Sequence, residues 1–128
     1  DALVMAAAVA DYRPAAVADE KIKKKDGDLT LPLARTQDIL GWVGAHKPDG
    51  LFVCGFSMET ENLLENSTAK LHRKNLDMVV ANNLKTPGAG FGVDTNVVTL
   101  ITRGGAEERP LLTKDEVAMR IAAAIAAR

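Results

Sequence analysis

Apolar positions fall in short runs separated by polar stretches. Residues 3–10, Leu-Val-Met-Ala-Ala-Ala-Val-Ala, are continuously apolar, the pattern of a strand covered on both faces of a parallel sheet. Residues 11–28 are mostly polar and read as an extended loop containing Pro14, Gly27 and the cluster Lys21-Ile-Lys-Lys-Lys25. Residues 29–33 alternate around Pro32, which marks an edge strand. Thr36 is placed to cap a helix from Gln37 to about Ala45, with Asp38 in its favourable first turn. Residues 51–57 form a second apolar strand. A long helix follows from Thr60 to Asn75, with Leu63, Leu64 and Leu71 on one face. Residues 78–81 form a third short strand, and 82–95 are loop. Residues 96–102 and 109–112 flank a turn-rich connection and predict a hairpin. Thr113-Lys-Asp-Glu116 is a capping-box pattern opening a last helix that runs to about Ala127.

Strands alternating with helices predict an α/β fold. The expected form is a Rossmann-like, mainly parallel sheet with an antiparallel edge hairpin. Because the chain opens inside a strand, the sheet is expected to lack an N-terminal βαβ half, and 128 residues fit a single truncated domain. Composition adds mostly exclusions. Hydrophobic residues are 47% and charged residues 26%, with net charge −1, so no global field draws the chain to nucleic acid or to an anionic membrane. The single cysteine, Cys54, excludes an internal disulfide and suits a reducing compartment, expected to be cytoplasmic. Its place in Leu51-Phe-Val-Cys-Gly-Phe56 reads as a small buried hydrophobe rather than a nucleophile. No apolar run approaches the ~20 residues of a membrane span. The apolar start also lacks the basic residues that open a signal peptide.

Ligands of open α/β sheets bind beyond the carboxyl ends of the strands. Asp11 follows the first predicted strand, Glu59 and Thr60 the second, and Asn82 and Asn83 the third. Four lysines crowd residues 21–25, and Lys70 and Lys74 stand at i, i+4 on the long helix. Each lysine–phosphate contact at ~4 Å is worth about 4 kcal/mol at an effective dielectric near 20, before desolvation. A triphosphate therefore suits cations from separate segments, aided by a helix N-terminus at Gln37 or Thr60. Against this, a lysine run is often only a solvated loop, and the lysine pair only a wet helix face. Residues 88–92, Gly-Ala-Gly-Phe-Gly, lie before a strand, the wrong context for a phosphate loop. His46 and His72 lack metal-ligand spacing, Trp42 reads as core, and no aromatic interleaving suggests nucleic-acid stacking.

Five motifs then occur in order: Ala6-Ala-Ala-Val-Ala-Asp-Tyr12; Glu20-Lys-Ile-Lys-Lys24; Thr36-Gln-Asp-Ile-Leu40; Gly55-Phe-Ser-Met-Glu-Thr60; and Lys70-x-x-x-Lys74-Asn-Leu-Asp77 followed by Ala81-Asn82. Together they resemble the phosphopantothenoylcysteine synthetase family over essentially the whole chain. The resemblance implies the C-terminal part of a Rossmann-like, homodimeric phosphopantothenate–cysteine ligase. Such an enzyme uses CTP and Mg2+ to join 4′-phosphopantothenate to L-cysteine through an acyl-cytidylate, in coenzyme A biosynthesis. In bacteria the domain is often fused behind a flavin-dependent decarboxylase, where any FMN would belong.

The same resemblance implies residue roles. The backbone of Met5, Ala6 and Ala7 would lie along the nucleotide. Asp11 would contact ribose or metal, and Lys21 would be the catalytic lysine. Gln37, Asp38, Ile39 and Leu40 would bind through the helix N-terminus, although the family often has proline where Gln37 stands. Phe56 would pack on the nucleotide, and Lys70 and Lys74 would hold phosphates. The family's earlier half, with its Asn-x-Ser-Ser-Gly-like segment, is missing here, so the 128 residues alone are expected to be inactive. The segment 29–33 is the expected dimer strand. The rival readings are a nicotinamide-dependent oxidoreductase and a non-catalytic dimerisation module.

Overall fold

The computed structural model describes residues 1–89 and 92–128. They group into two units, one formed by Asp1–Ala6 with Leu40–Arg128 and the other by Ala7–Ile39. The larger unit is built on a five-stranded sheet in the order β1 (Ala2–Met5), β4 (Phe52–Glu59), β5 (Met78–Asn83), β7 (Val98–Thr102), β8 (Gly105–Glu108). β1, β4 and β5 run parallel, and β7 and β8 complete the sheet antiparallel. This is the predicted α/β architecture. Its centre is β5, whose Met78, Val79, Val80 and Ala81 are all buried. A run without polar alternation is what a strand covered on both faces requires.

Side chains alternate between two cores. On one face, Val53, Val79 and Ala81 pack with Leu40 of α1 (Ile39–His46) and Leu71 of α2 (Leu63–Arg73). On the other, Cys54, Met78 and Val80 pack with Val117 and Ile121 of α3 (Lys114–Ala126). Each fully buried aliphatic side chain contributes about 1.5–3 kcal/mol. The capping box at the start of α3 forms as predicted. Thr113 Oγ1 accepts from the Glu116 amide at 3.2 Å, and the Thr113 amide donates to Glu116 Oε2 at 2.8 Å.

Several boundaries differ from expectation. β1 stops at Met5, because the alanine methyls that follow bury too little area to hold a strand. It is also covered on one face only: Leu3 and Met5 pack into the first core, while Val4 is 42% exposed at the sheet edge. α2 begins at Leu63, after Asn62 in the left-handed conformation, and Leu64 faces solvent. The hairpin turns tightly at Arg103-Gly104, since Thr102 pairs with Gly105, so its second strand is β8 rather than residues 109–112. Leu112 and Thr113 instead form β9, paired with β6 (Thr95–Asn96). Trp42 is not core. It is 54% exposed and stacks on His46 with ring centroids 4.4 Å apart. No helix of the described residues is long and apolar enough to cross a membrane.

In the smaller unit, β2 (Tyr12–Pro14) pairs antiparallel with β3 (Leu33–Arg35). β2 lies within the stretch read as loop, and the expected strand over 29–33 is shifted to begin at its last residue. Pro32 lacks an amide to donate, yet its carbonyl accepts from the Ala15 amide at 2.9 Å just beyond the ladder. Leu29, Leu31 and Leu33 are exposed.

Candidate functional site

The larger unit places a site where β1 ends. Met5 is the last residue of β1 and pairs with Gly55. Beyond it, from Phe56 to Glu59, β4 continues along β5 without β1 beside it. The Lys70 ammonium of α2 donates a hydrogen bond to the Phe56 carbonyl at this bared edge. Met5, Ala6, Phe56 and Lys70 are thus gathered where one parallel strand stops against its neighbour, a geometry suited to a ligand lying along the strand edge. The lysine supplies charge and three donors there.

Polar residues at the far ends of the strands form their own network. Glu59 and Asn82–Asn83 are the last residues of β4 and β5, rather than lying past them as expected. Asn66 Nδ2 donates to Glu59 Oε2 at 3.1 Å, and Asn96 Nδ2 donates to Asn82 Oδ1 at 2.7 Å. Beneath the site, the buried Ser57 and Ser67 hydroxyls meet at 2.6 Å. Sequence reading passed over both serines. The signal was present, since Ser67 stands at i+4 between Leu63 and Leu71, on the stripe that must face the core.

Lys74 is the C-cap of α2, one turn beyond Lys70, and its amide donates to the Lys70 carbonyl at 3.0 Å. Leu40 is buried in α1 and serves the core. Cys54 is fully buried in β4, and burial pushes its thiol up to about 12, which removes it as a nucleophile at neutral pH. An open depression of about 400 Å³ lies at the opposite, amino ends of β4 and β5, lined by Lys47, Phe52, Asn75, Asp77 and Arg128 among others. Its charges serve the fold, because Asp77 Oδ2 takes both Lys47 Nζ at 2.7 Å and the Val53 amide at 2.8 Å. We place the site at the end of β1 instead, where backbone edge and cation meet.

The smaller unit carries Ala7, Asp11, Lys21, Gln37, Asp38 and Ile39. Thr36 does not cap the helix. Its hydroxyl donates to the Ala10 carbonyl at 2.5 Å and its amide to the Asp11 carbonyl at 2.9 Å, tying the two ends of this unit together. α1 starts at Ile39, so Gln37 and Asp38 precede the helix instead of forming its first turn. Lys21 and its neighbouring lysines are exposed in a stretch without regular structure, and the Asp11 side is also open. No group of three or more metal-type side chains occurs among the described residues. Asp11 offers one carboxylate, which suits a magnesium ion that takes most of its oxygens from phosphates and water. In the stretch 88–92, Gly88 has φ 81° and its carbonyl accepts from Thr95 Oγ1 at 2.6 Å, while residues 90 and 91 lie outside the described residues.

The family model for the DNA/pantothenate metabolism flavoprotein C-terminal domain matches residues 1–128. The chain is 45% identical over 128 residues to the coenzyme A biosynthesis bifunctional protein CoaBC of Bacillus subtilis, covering 99% of this chain and 31% of that protein. It is 43% identical over 122 residues to a cysteine/cysteine sulfinic acid decarboxylase of an unknown prokaryotic organism, covering 94% and 34%. The crystal structure of the C-terminal domain of a coenzyme A biosynthesis bifunctional protein CoaBC superposes with TM-score 0.74 at 39% identity, covering 98% of this chain and 53% of that one. The chain therefore spans about a third of the length of the curated relatives it matches.

Proposed function

Since the chain belongs to the DNA/pantothenate metabolism flavoprotein C-terminal domain family, we propose that it is the nucleotide-handling part of a phosphopantothenate–cysteine ligase acting in coenzyme A biosynthesis. The observation that carries this reading is the end of β1. There Met5 and Ala6, Phe56 and Lys70 meet at a bared strand edge, and the same residues stand in the motifs that resemble the synthetase family.

The reaction has two steps. The carboxylate of 4′-phosphopantothenate attacks the α-phosphorus of CTP, forming an acyl-cytidylate and expelling pyrophosphate. The cysteine amine then attacks the acyl carbon and expels CMP. The first step brings one anion to another, so it needs charge screening and alignment more than covalent help from the protein. Lys70 and Lys74 hold phosphates, and the backbone of Met5, Ala6 and Ala7 with the Phe56 ring positions the nucleoside. The backbone of the Gln37–Leu40 segment, which leads into α1, donates amides to the nucleotide. Lys21 stabilises negative charge at the reacting phosphate, and Asp11 binds ribose or the nucleotide's magnesium. Mg2+, when bound, supplies further neutralisation of the triphosphate. The exposed Leu29, Leu31 and Leu33 suit a homodimer contact, and the working location is cytoplasmic. In the bifunctional arrangement that the CoaBC relatives' name describes, a flavin-dependent decarboxylase shares the parent chain.

The test is pyrophosphate release by the full-length protein that contains this segment, in the presence of CTP, phosphopantothenate and cysteine. Release that needs all three, and a fall of at least about a hundredfold in kcat for Lys21→Ala, is the expected result. Turnover unchanged by Lys21→Ala would refute the role of the lysine. Nicotinamide turnover with no use of CTP would refute the ligase. The relative named for cysteine decarboxylation favours a second reading, in which the parent releases CO2 from cysteine; CO2 produced without CTP would support it.

A further inference from the structure

Ser57, Ser67 and Thr99 are the buried polar side chains among the described residues. Two of them face each other across the contact of α2 with β4, with the hydroxyl oxygens 2.6 Å apart. Their places in the chain matter. Ser57 directly follows Phe56, and Ser67 stands one helical turn before Lys70. The pair therefore joins the strand residue and the helix residue whose meeting forms the site.

We infer that Ser57 and Ser67 are positioning residues for nucleotide binding, setting where the Lys70 ammonium stands along the bared edge of β4. The inference rests on the reading of Lys70 and Phe56 as nucleotide contacts. Stability does not call for this pair. Ser67 lies between Leu63 and Leu71 on a stripe that is otherwise aliphatic, and two apolar residues of matching shape would be nearly neutral or better there. A hydrogen bond between buried hydroxyls does what apolar packing does poorly, because it has one preferred distance and direction. Aliphatic surfaces tolerate small slides of a helix along a strand. The hydroxyl pair opposes them at the level of the site. Lys70 has a flexible four-carbon stem, so a fixed backbone origin is what allows its ammonium to meet phosphate in one place. At rest the same ammonium is held by the Phe56 carbonyl, the neighbour of Ser57, so strand, helix and cation form one closed unit.

The experiment measures Mg·CTP affinity by calorimetry, with thermal midpoints, on the full-length protein. The variants are Ser57→Ala, Ser67→Ala, the double Ser57→Ala/Ser67→Ala, and Ser67→Ala in a Lys70→Ala background. Each single serine change is expected to raise Kd about fivefold and to lower the midpoint, since one buried hydroxyl is left without a partner. The double variant is expected to regain much of the midpoint, because no orphaned hydroxyl remains, while keeping the raised Kd. It also covers the case in which a single variant fails to fold. In the Lys70→Ala background, Ser67→Ala is expected to change Kd less than about twofold. Recovery of Kd together with the midpoint in the double variant, or an undiminished serine effect without Lys70, would overturn the inference. If Lys70→Ala weakens binding and the serine changes do not, the inference alone fails. If Lys70→Ala leaves Kd unchanged, the nucleotide reading fails and takes the inference with it.

Discussion

Replacing Gly44 by alanine sets helix propensity against tertiary packing. Gly44 lies inside α1, where an alanine should stabilise by about 1 kcal/mol through reduced backbone entropy in the unfolded chain. The added Cβ, however, would stand 1.8 Å from the Lys74 carbonyl oxygen and 2.9 Å from the carbonyl carbon. The first distance is roughly 1.5 Å inside ordinary van der Waals separation. The obstacle is main chain and cannot rotate away. The Lys74 amide is bonded to Lys70 O, and Asn75, which follows in the left-handed conformation, is bonded to its neighbours. Asn75 Nδ2 donates to the Gly44 carbonyl at 2.9 Å, and Asn75 Oδ1 accepts from Arg103 at 2.8 Å.

To relieve the overlap α1 must retreat, loosening Leu40 and breaking the Asn75–Gly44 bond. Overpacking costs about 1–3 kcal/mol and the lost hydrogen bond about 1 kcal/mol. Against the propensity gain, the net is a destabilisation of about 1–3 kcal/mol, or roughly 4–12 °C in Tm for a domain of this size. Urea unfolding followed by circular dichroism measures it. A Gly44→Ala protein as stable as its parent, with the same denaturant slope, would refute the close approach of α1 to the end of α2. Gly55→Ala is the comparison. Its Cβ would meet only side-chain ends, Leu40 Cδ2 at 2.8 Å and Leu76 Cδ1 at 3.0 Å, so the cost should be smaller, about 1–2 kcal/mol.

Four further outcomes are expected. Asp77→Ala leaves both the Val53 amide and the largely buried Lys47 ammonium without their carboxylate, and should cost about 2–4 kcal/mol in urea unfolding; a loss under ~0.5 kcal/mol would mean that the ion pair is idle. Thr113→Ala removes the α3 cap and should cost about 1 kcal/mol. The same cap holds the Glu116 carboxyl below its ordinary range, first through the Thr113 amide and then through the Thr113 hydroxyl. A depressed carboxyl stabilises fully above its unfolded pKa and loses that contribution as pH falls through the folded one. The midpoint gap between parent and Glu116→Gln should therefore close on acidification, and a gap that widens would be the wrong sign. Finally, iodoacetamide at pH 8 should leave Cys54 unmodified in the folded protein and label it in urea, because burial holds the thiol near 12; rapid labelling of the folded protein would show that β4 is open to solvent.

Hydrophobic patterning along the chain was enough to place the central strands β4 and β5, the alternation of strands with helices, and the last helix with its cap, but not β2, β6 or the second strand of the hairpin. These features follow from local periodicity and capping chemistry. Of the motif residues, Met5, Ala6, Phe56 and Lys70 stand together at the end of β1 and were legible in one dimension through residue type and order, whereas Asp11 and Lys21 belong to the smaller unit. Periodicity could not say that β1 stops at Met5, since an alanine run fits a strand, a helix or neither until area is buried. Nor could it turn Trp42 outward, move the hairpin turn to Arg103-Gly104, or give Thr36 a partner at Ala10 instead of a helix to cap. Those outcomes depend on which neighbour wins a surface or a hydrogen bond, and the neighbours are distant in sequence. Residue order supplied the ingredients of the site, whereas the ending of β1 against Gly55, the serine pair beneath it and the Lys70–Phe56 contact arise only from packing a helix on a sheet.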